Sequence, residues 1–340
     1  MQSGAWLLTS AGALGTALPD PVDVRLTVDE GWQPHVQASV VIPGRVPVDP
    51  RTLPRVTLTL SATETGGPAS YASAERLVVR TAEYDARAGT TTLELASDEA
   101  RVQDRAWLGA PLGPATWPGV REALRDLLVT YCAADPARID LAALGWGQGA
   151  ALVSGWTAQT GDHLWRSVQD IPQRIGWHVY VDLDGTWRLA PAAPTPPTTP
   201  TFINIFAREV LDCRETTTRE GTAWADSVVA RYVWRDAAGV EHRIVGTSAS
   251  TTPPGGTKTL VLDSDVAVTQ QQADARASQQ LTRMHPRGRT FAVTVAGRLD
   301  LRDRTWVRLV TPAGETLTLY VAAVSWALPA GTCALTLREL

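Results

Sequence analysis

Residues with reactive side chains are scattered along this 340-residue chain, and function depends on whether any spacing assembles them. Asp182-x-Asp184-Gly185 resembles the opening of a calcium-binding loop, where carboxylates two apart converge on one cation and a glycine makes the sharp turn. The twelfth position of such a loop needs a bidentate glutamate, and Ala193 stands there. The motif is therefore read as a solvated hairpin tip. Gly145-Trp146-Gly147-Gln148-Gly149 has the glycines of a phosphate loop without its Gly-Lys-Ser/Thr ending or the dinucleotide spacing. His35, His163, His178, His242 and His285 form no HExxH pair, and no GxSxG elbow is present.

Two further chemistries leave no mark in sequence. A Ser-His-Asp set is assembled by folding, as is a carboxylate pair for glycoside hydrolysis. Cys132, Cys213 and Cys333 are odd in number and widely spaced, which predicts buried thiols and neither a disulfide framework nor a zinc site. No catalytic, cofactor-binding or metal-binding residue is assigned, no cofactor is expected, and the chain is read as a non-enzyme. The 13 tryptophans against three phenylalanines invite a carbohydrate-binding reading, in which exposed indoles stack on sugar faces. Trp177, Trp187, Trp234, Trp306 and Trp326 lie within apolar strand patterns, however, and are expected to be core or interface anchors.

Charge narrows the partners. A net charge of −4 provides no basic field to hold duplex DNA through its phosphates, so no sequence-specific nucleic-acid binding is expected. The apolar stretch 5–18 lacks the basic residue that precedes a secretory signal. No apolar run reaches the ~18 residues of a membrane helix, so no membrane span is expected.

The elements that would position these residues are mainly strands. Residues 22–28 alternate, with Val22, Val24, Leu26 and Val28 on one face. Stretches 36–42, 56–60, 77–84 and 91–95 continue the pattern between glycine and proline turns. Residues 1–97 are thus expected to form a small antiparallel barrel or sandwich. Past Ser97 the spacing becomes helical, with Asp98 and Glu99 suited to charge a helix start. Val120, Leu124, Leu127 and Tyr131 share one helix face. A second helix is expected from Asp162, burying Leu164, Trp165, Val168 and Ile171 until Pro172 ends or kinks it. Stretches 177–181 and 186–190 then make a hairpin about Asp182–Gly185.

Residues 98–190 are read as a helix-and-hairpin insertion, and the proline-rich 191–200 as a linker. A second β domain follows over 201–268, with a hairpin of 227–234 and 240–247 and a further strand at 260–263. Over 269–340, Thr269 caps a helix that buries Ala273, Ala277, Leu281 and Met284. Strands 290–295, 305–310, 316–324 and 334–337 complete a second barrel. The fold class expected is mainly β with an α+β insertion, in a multidomain arrangement.

Two blocks resemble a known family. One is Leu164-Trp165 to Ile171, then Gly176-Trp177 through Asp182, Asp184, Gly185 and Trp187 to Pro191. The other is Ala273 to Leu281, then Phe291-Ala292-Val293 and Leu299 to Leu309, with Arg302-Asp303 where the family often has Gly-Asp. Together they resemble the tail-tip (baseplate) hub proteins of tailed bacteriophages, minor tail proteins of the virion. The resemblance implies a homotrimeric ring in which each chain supplies two small β-barrels. It implies as partners a distal tail or tail tube protein above, the tape-measure C-terminus, and tip, spike or fibre proteins below, around a channel through which DNA leaves. Two other readings stand beside it: a carbohydrate- or receptor-binding module of a virion tip, which would align several exposed tryptophans in one groove, and a tail-associated peptidoglycan hydrolase, which would set a carboxylate pair or metal cluster in a cleft.

Overall fold

The computed structural model describes residues 2–9 (backbone), 18–63, 69–110, 117–145, 156–173, 175–191, 202–217, 224–235, 239–251, 258–264, 268–284 and 289–339. The first strands are β1 (Gln2–Thr9), β2 (Asp23–Asp29), β3 (Val36–Pro43), β4 (Arg55–Thr63), β5 (Ala69–Asp85) and β6 (Thr90–Ala96). Alternation dictates their faces: Val24, Leu26 and Val28 of β2 are buried, as are Val36, Ala38, Val40 and Ile42 of β3. Val22, expected on the same face, is 52% exposed, because the strand begins one residue later. The apolar start of the chain supplies β1, which pairs antiparallel with β4 from Gln2↔Thr63 to Thr9↔Val56.

The insertion contains α1 (Glu99–Gln103), α2 (Val120–Asp126), β7 (Ile139–Asp140), α3 (Leu164–Gln173), β8 (Trp177–Val181) and β9 (Trp187–Pro191). Val120, Leu124 and Leu127 are buried as expected, whereas Tyr131 is half-buried. The helix widens into a π turn over Leu127–Tyr131, closed by Cys132 N–H donating to Leu127 O at 3.0 Å, and the extra residue rotates Tyr131 off the face. Leu164, Val168 and Ile171 of α3 join Val179, Val181 and Trp187 of the hairpin in one core. The Asp162 carboxylate accepts from the Gln159 amide at 2.6 Å. Beyond Pro191 the predicted linker lies outside the described residues, as do residues 146–149 of the glycine run, Ala193 and His285.

The rest of the chain forms β10 (Ile203–Ile205), β11 (Val210–Thr217), β12 (Ser227–Arg235), β13 (Glu241–Ala249), β14 (Thr259–Ser264), α4 (Gln270–Met284), β15 (Arg289–Ala296), β16 (Trp306–Val310), β17 (Thr316–Leu328) and β18 (Thr332–Arg338). Strands β12 to β14 make a separate sheet, with β12 antiparallel to β13 and parallel to β14. Helix α4 covers one face of it, burying Ala273, Ala277 and Leu281 against Val228, Ala230 and Tyr232. Its start is a reciprocal cap: Thr269 Oγ1 accepts Gln272 N–H at 3.3 Å and Gln272 Oε1 accepts Thr269 N–H at 2.8 Å. Gly246 allows the close approach, since a Cβ there would lie 2.2 Å from the Ala273 carbonyl.

Strands β10, β11 and β15 to β18 join β1 to β6 in one 12-stranded sheet. The junction is β17. One edge pairs with β18 over Tyr320–Ala327; the other pairs with β16 over Thr316–Tyr320 and with β2 over Ala323–Leu328, on either side of a bulge at Val321/Ala323. The two expected barrels are therefore not closed: the ladder of the first half runs through β17 into the second instead of returning on itself. A single core spans both halves, bringing Leu26, Val40, Leu58 and Leu95 together with Phe291, Val293 and Trp326. The Trp326 indole N–H is satisfied by Arg298 O at 2.9 Å, as a buried tryptophan requires.

Candidate functional site

Buried polar groups concentrate where the insertion meets both halves of the large sheet. Glu99, at the helix start expected from sequence, is 1% exposed. Its carboxylate turns inward from α1 and accepts His35 N–H, Val181 N–H at 2.8 Å and the Ser97 hydroxyl at 3.1 Å. One side chain thus ties the entry of β3 to the end of β8. Burial raises its proton affinity above that of an ordinary carboxyl, and the donors around it only partly compensate.

His35, 1% exposed, has an oxygen close to each ring nitrogen. Nδ1 lies 2.9 Å from the Asp29 carbonyl and Nε2 lies 3.1 Å from Asp303 Oδ2. Asp303 is also buried, which pushes its carboxyl up, but His35 and Arg304 outweigh burial and hold it below the ordinary value. Arg304, in the left-handed region at φ 58°, donates from Nε to Asp303 at 3.1 Å and lies 3.6 Å over the Tyr180 ring. The Tyr180 ring in turn meets His35 edge-on at 4.9 Å. The β2–β3 loop, α1, β8 and the loop before β16 therefore converge on one polar cluster.

This geometry fits a lock better than a reaction centre. The Ser97 hydroxyl donates to Glu99, and both nitrogens of His35 face oxygen acceptors, so no serine is presented to the imidazole as a general base would require. Two more ties run beside it. The Tyr320 hydroxyl donates to Glu30 at 2.9 Å, with Arg338 bonded to the same carboxylate, and the Trp165 indole donates to Gln33 at 3.0 Å.

The hairpin tip is not simply solvated. Gly185 takes φ +73° and Leu183 is buried in the large core, its carbonyl accepting from Glu75 N–H at 2.7 Å. The motif's carboxylates share one internal cation: Arg188 lies 3.0 Å from Asp182 and 2.6 Å from Asp184. Among the described residues no group of three or more His, Cys, Asp or Glu is arranged to hold a metal. Cys132 and Cys333 are buried, and burial pushes both thiols up to about 12.

The tryptophans anchor the core more than they line a surface. Trp187 and Trp326 are each 1% exposed, and Trp177, Trp234 and Trp306 are half-buried. Among described tryptophan side chains only Trp32 is strongly exposed, at 48%. It rims a 420 Å³ cleft on the outer face of the large sheet, without the row of indoles a sugar-binding groove would show.

The architecture is that of phage and prophage tail proteins. The tail protein from Neisseria meningitidis MC58 superposes with a TM-score of 0.69 at 12% identity, over 100% of this chain and 97% of its own. The 43 kDa tail protein of prophage MuSo2 from Shewanella oneidensis gives 0.65 at 12% identity, covering 99% and 98%. Prophage tail protein gp18 from Listeria monocytogenes EGD-e gives 0.55 at 10% identity, covering 99% and 94%. The resemblance read from two blocks of sequence extends, as fold, over the whole chain. No family model and no curated protein matches the sequence.

Proposed function

We propose that this chain is a structural subunit of a phage tail tip, a hub-like minor tail protein of the virion with no reaction of its own. The observation that carries the reading is the division of the large sheet into two halves of six strands each, β1 to β6 and β10, β11 and β15 to β18, welded at β17. A closed three-fold ring can match six equivalent neighbours only if each chain offers two comparable surfaces. Two β halves on a rigid common core meet that need.

In this reading the β halves form a trimeric ring around the DNA channel, under a distal tail or tail tube protein and around the tape-measure C-terminus. The insertion at 98–190 and the smaller sheet, on either side of the linker at 191–200, face tip, spike or fibre proteins. The buried cluster at Glu99, His35 and Asp303 holds the insertion at a fixed angle to the ring, as load transmission through a tail demands.

Light scattering on the purified chain tests this. A trimer of about 110 kDa, three times the 36.5 kDa chain, is expected at micromolar concentration. A mass that stays at one chain, with no rings in electron micrographs, would overturn the hub reading.

A further inference from the structure

The three-stranded sheet has one covered face and one open face. Val228, Ala230 and Tyr232 turn towards α4, so the alternate residues Val229, Arg231 and Val233 point away. The register sets Arg243 opposite Val233, and Val261 and Asp263 opposite Val229 and Arg231. Val233 is 36% exposed and Val261 50%. Arg166 of α3 stands across from this face, closing a cleft of 500 Å³ with Arg231, Val233, Arg243 and Asp263.

The charges lining the cleft do not balance. Arg231 Nε donates to Asp263 at 2.6 Å, and Arg166 reaches back to Asp170 on its own helix at 3.4 Å. Arg243 is exposed and pairs with no carboxylate of the described residues. The face thus offers apolar β-branched side chains beside an uncommitted guanidinium. Exposed apolar surface rimmed by charge marks a docking site, and the sign of the charge specifies the partner.

We propose that this face docks a segment of a partner protein that lays apolar side chains on Val233 and Val261 and brings a carboxylate to Arg243. Duplex DNA fits less well, because its backbone needs several free cations and no apolar ground, and Asp263 of the edge strand β14 adds a carboxylate that already takes Arg231. The inference rests on the tail-tip reading only for the existence of protein neighbours.

The probe is a blocked, fluorescein-labelled amphipathic helical peptide with leucines along one face and glutamates flanking them, followed by anisotropy at low salt. Controls replace the glutamates by glutamine or the leucines by serine, and a labelled DNA duplex is measured beside them. The acidic peptide is expected to bind, and Arg243→Glu to weaken it by about tenfold through one lost attraction and one new repulsion. Val261→Ser should weaken it by about threefold, with circular dichroism unchanged in both variants. The proposal is overturned if the acidic peptide does not bind, if the folded variants bind it as the parent does, if the glutamine peptide binds equally well, or if the duplex binds more tightly. None of these outcomes depends on whether the chain is a trimer, so failure here and failure of the hub reading are separately visible.

Discussion

Replacing Glu99 tests the lock between insertion and sheet most sharply. Glu99→Ala strands the His35 and Val181 amide hydrogens in the interior, each having the carboxylate as its acceptor; the Ser97 hydroxyl can rotate. Each stranded amide costs about 1–3 kcal/mol, and relief from burying the carboxyl returns part of it, leaving a net loss of about 3 kcal/mol. In a chain of this size that lowers the melting temperature by about 4 °C, read by tryptophan fluorescence. Glu99→Gln keeps one oxygen acceptor and should fall between parent and alanine variant. The pH dependence has a definite sign. Because the folded carboxyl holds its proton above the free value of 4.5, its contribution is complete below that value and declines as pH rises through the folded one. The parent's advantage over Glu99→Gln should therefore shrink from pH 4.5 upward. A shift under about 1 °C in Glu99→Ala, or an advantage that grows with pH over that range, would refute the reasoning.

Three other outcomes follow from single contacts. Gly246→Ala drives a methyl to 2.2 Å from the Ala273 carbonyl and should cost about 1–3 kcal/mol by lifting α4 off its sheet, seen as a lower melting temperature. Millimolar calcium should leave the melting temperature unchanged, since Arg188 already pairs with both Asp182 and Asp184; a clear rise would restore the calcium-loop reading. A thiol-reactive dye at pH 8 should label Cys132 and Cys333 only in denaturant, because both are buried with thiols held up to about 12.

Much of the fold is written locally. Strands β2 and β3 alternate so regularly that their faces follow from residue type, and α4 carries both its cap at Thr269 and its buried alanines in sequence. What was not legible depends on distant pairing. The first strand shows no clean alternation, and its partner β4 lies more than forty residues on, beyond β2 and β3. The double pairing of β17 joins it to β2 nearly three hundred residues earlier, and nothing in either strand marks it. That pairing decides whether two barrels close or one sheet continues. The inward turn of Glu99 was hidden for the same reason. Its place at the start of α1 is local, but its donors His35 and Val181 lie 64 and 82 positions away.

The central claim, that two β halves per chain build a pseudo-six-fold ring, is tested most directly by electron cryomicroscopy of the assembled protein. The account predicts rings of three chains in which six β units alternate between β1 to β6 and the set β10, β11 and β15 to β18 around an open channel. Rings of another order, or rings in which only one β half lines the channel, would contradict it.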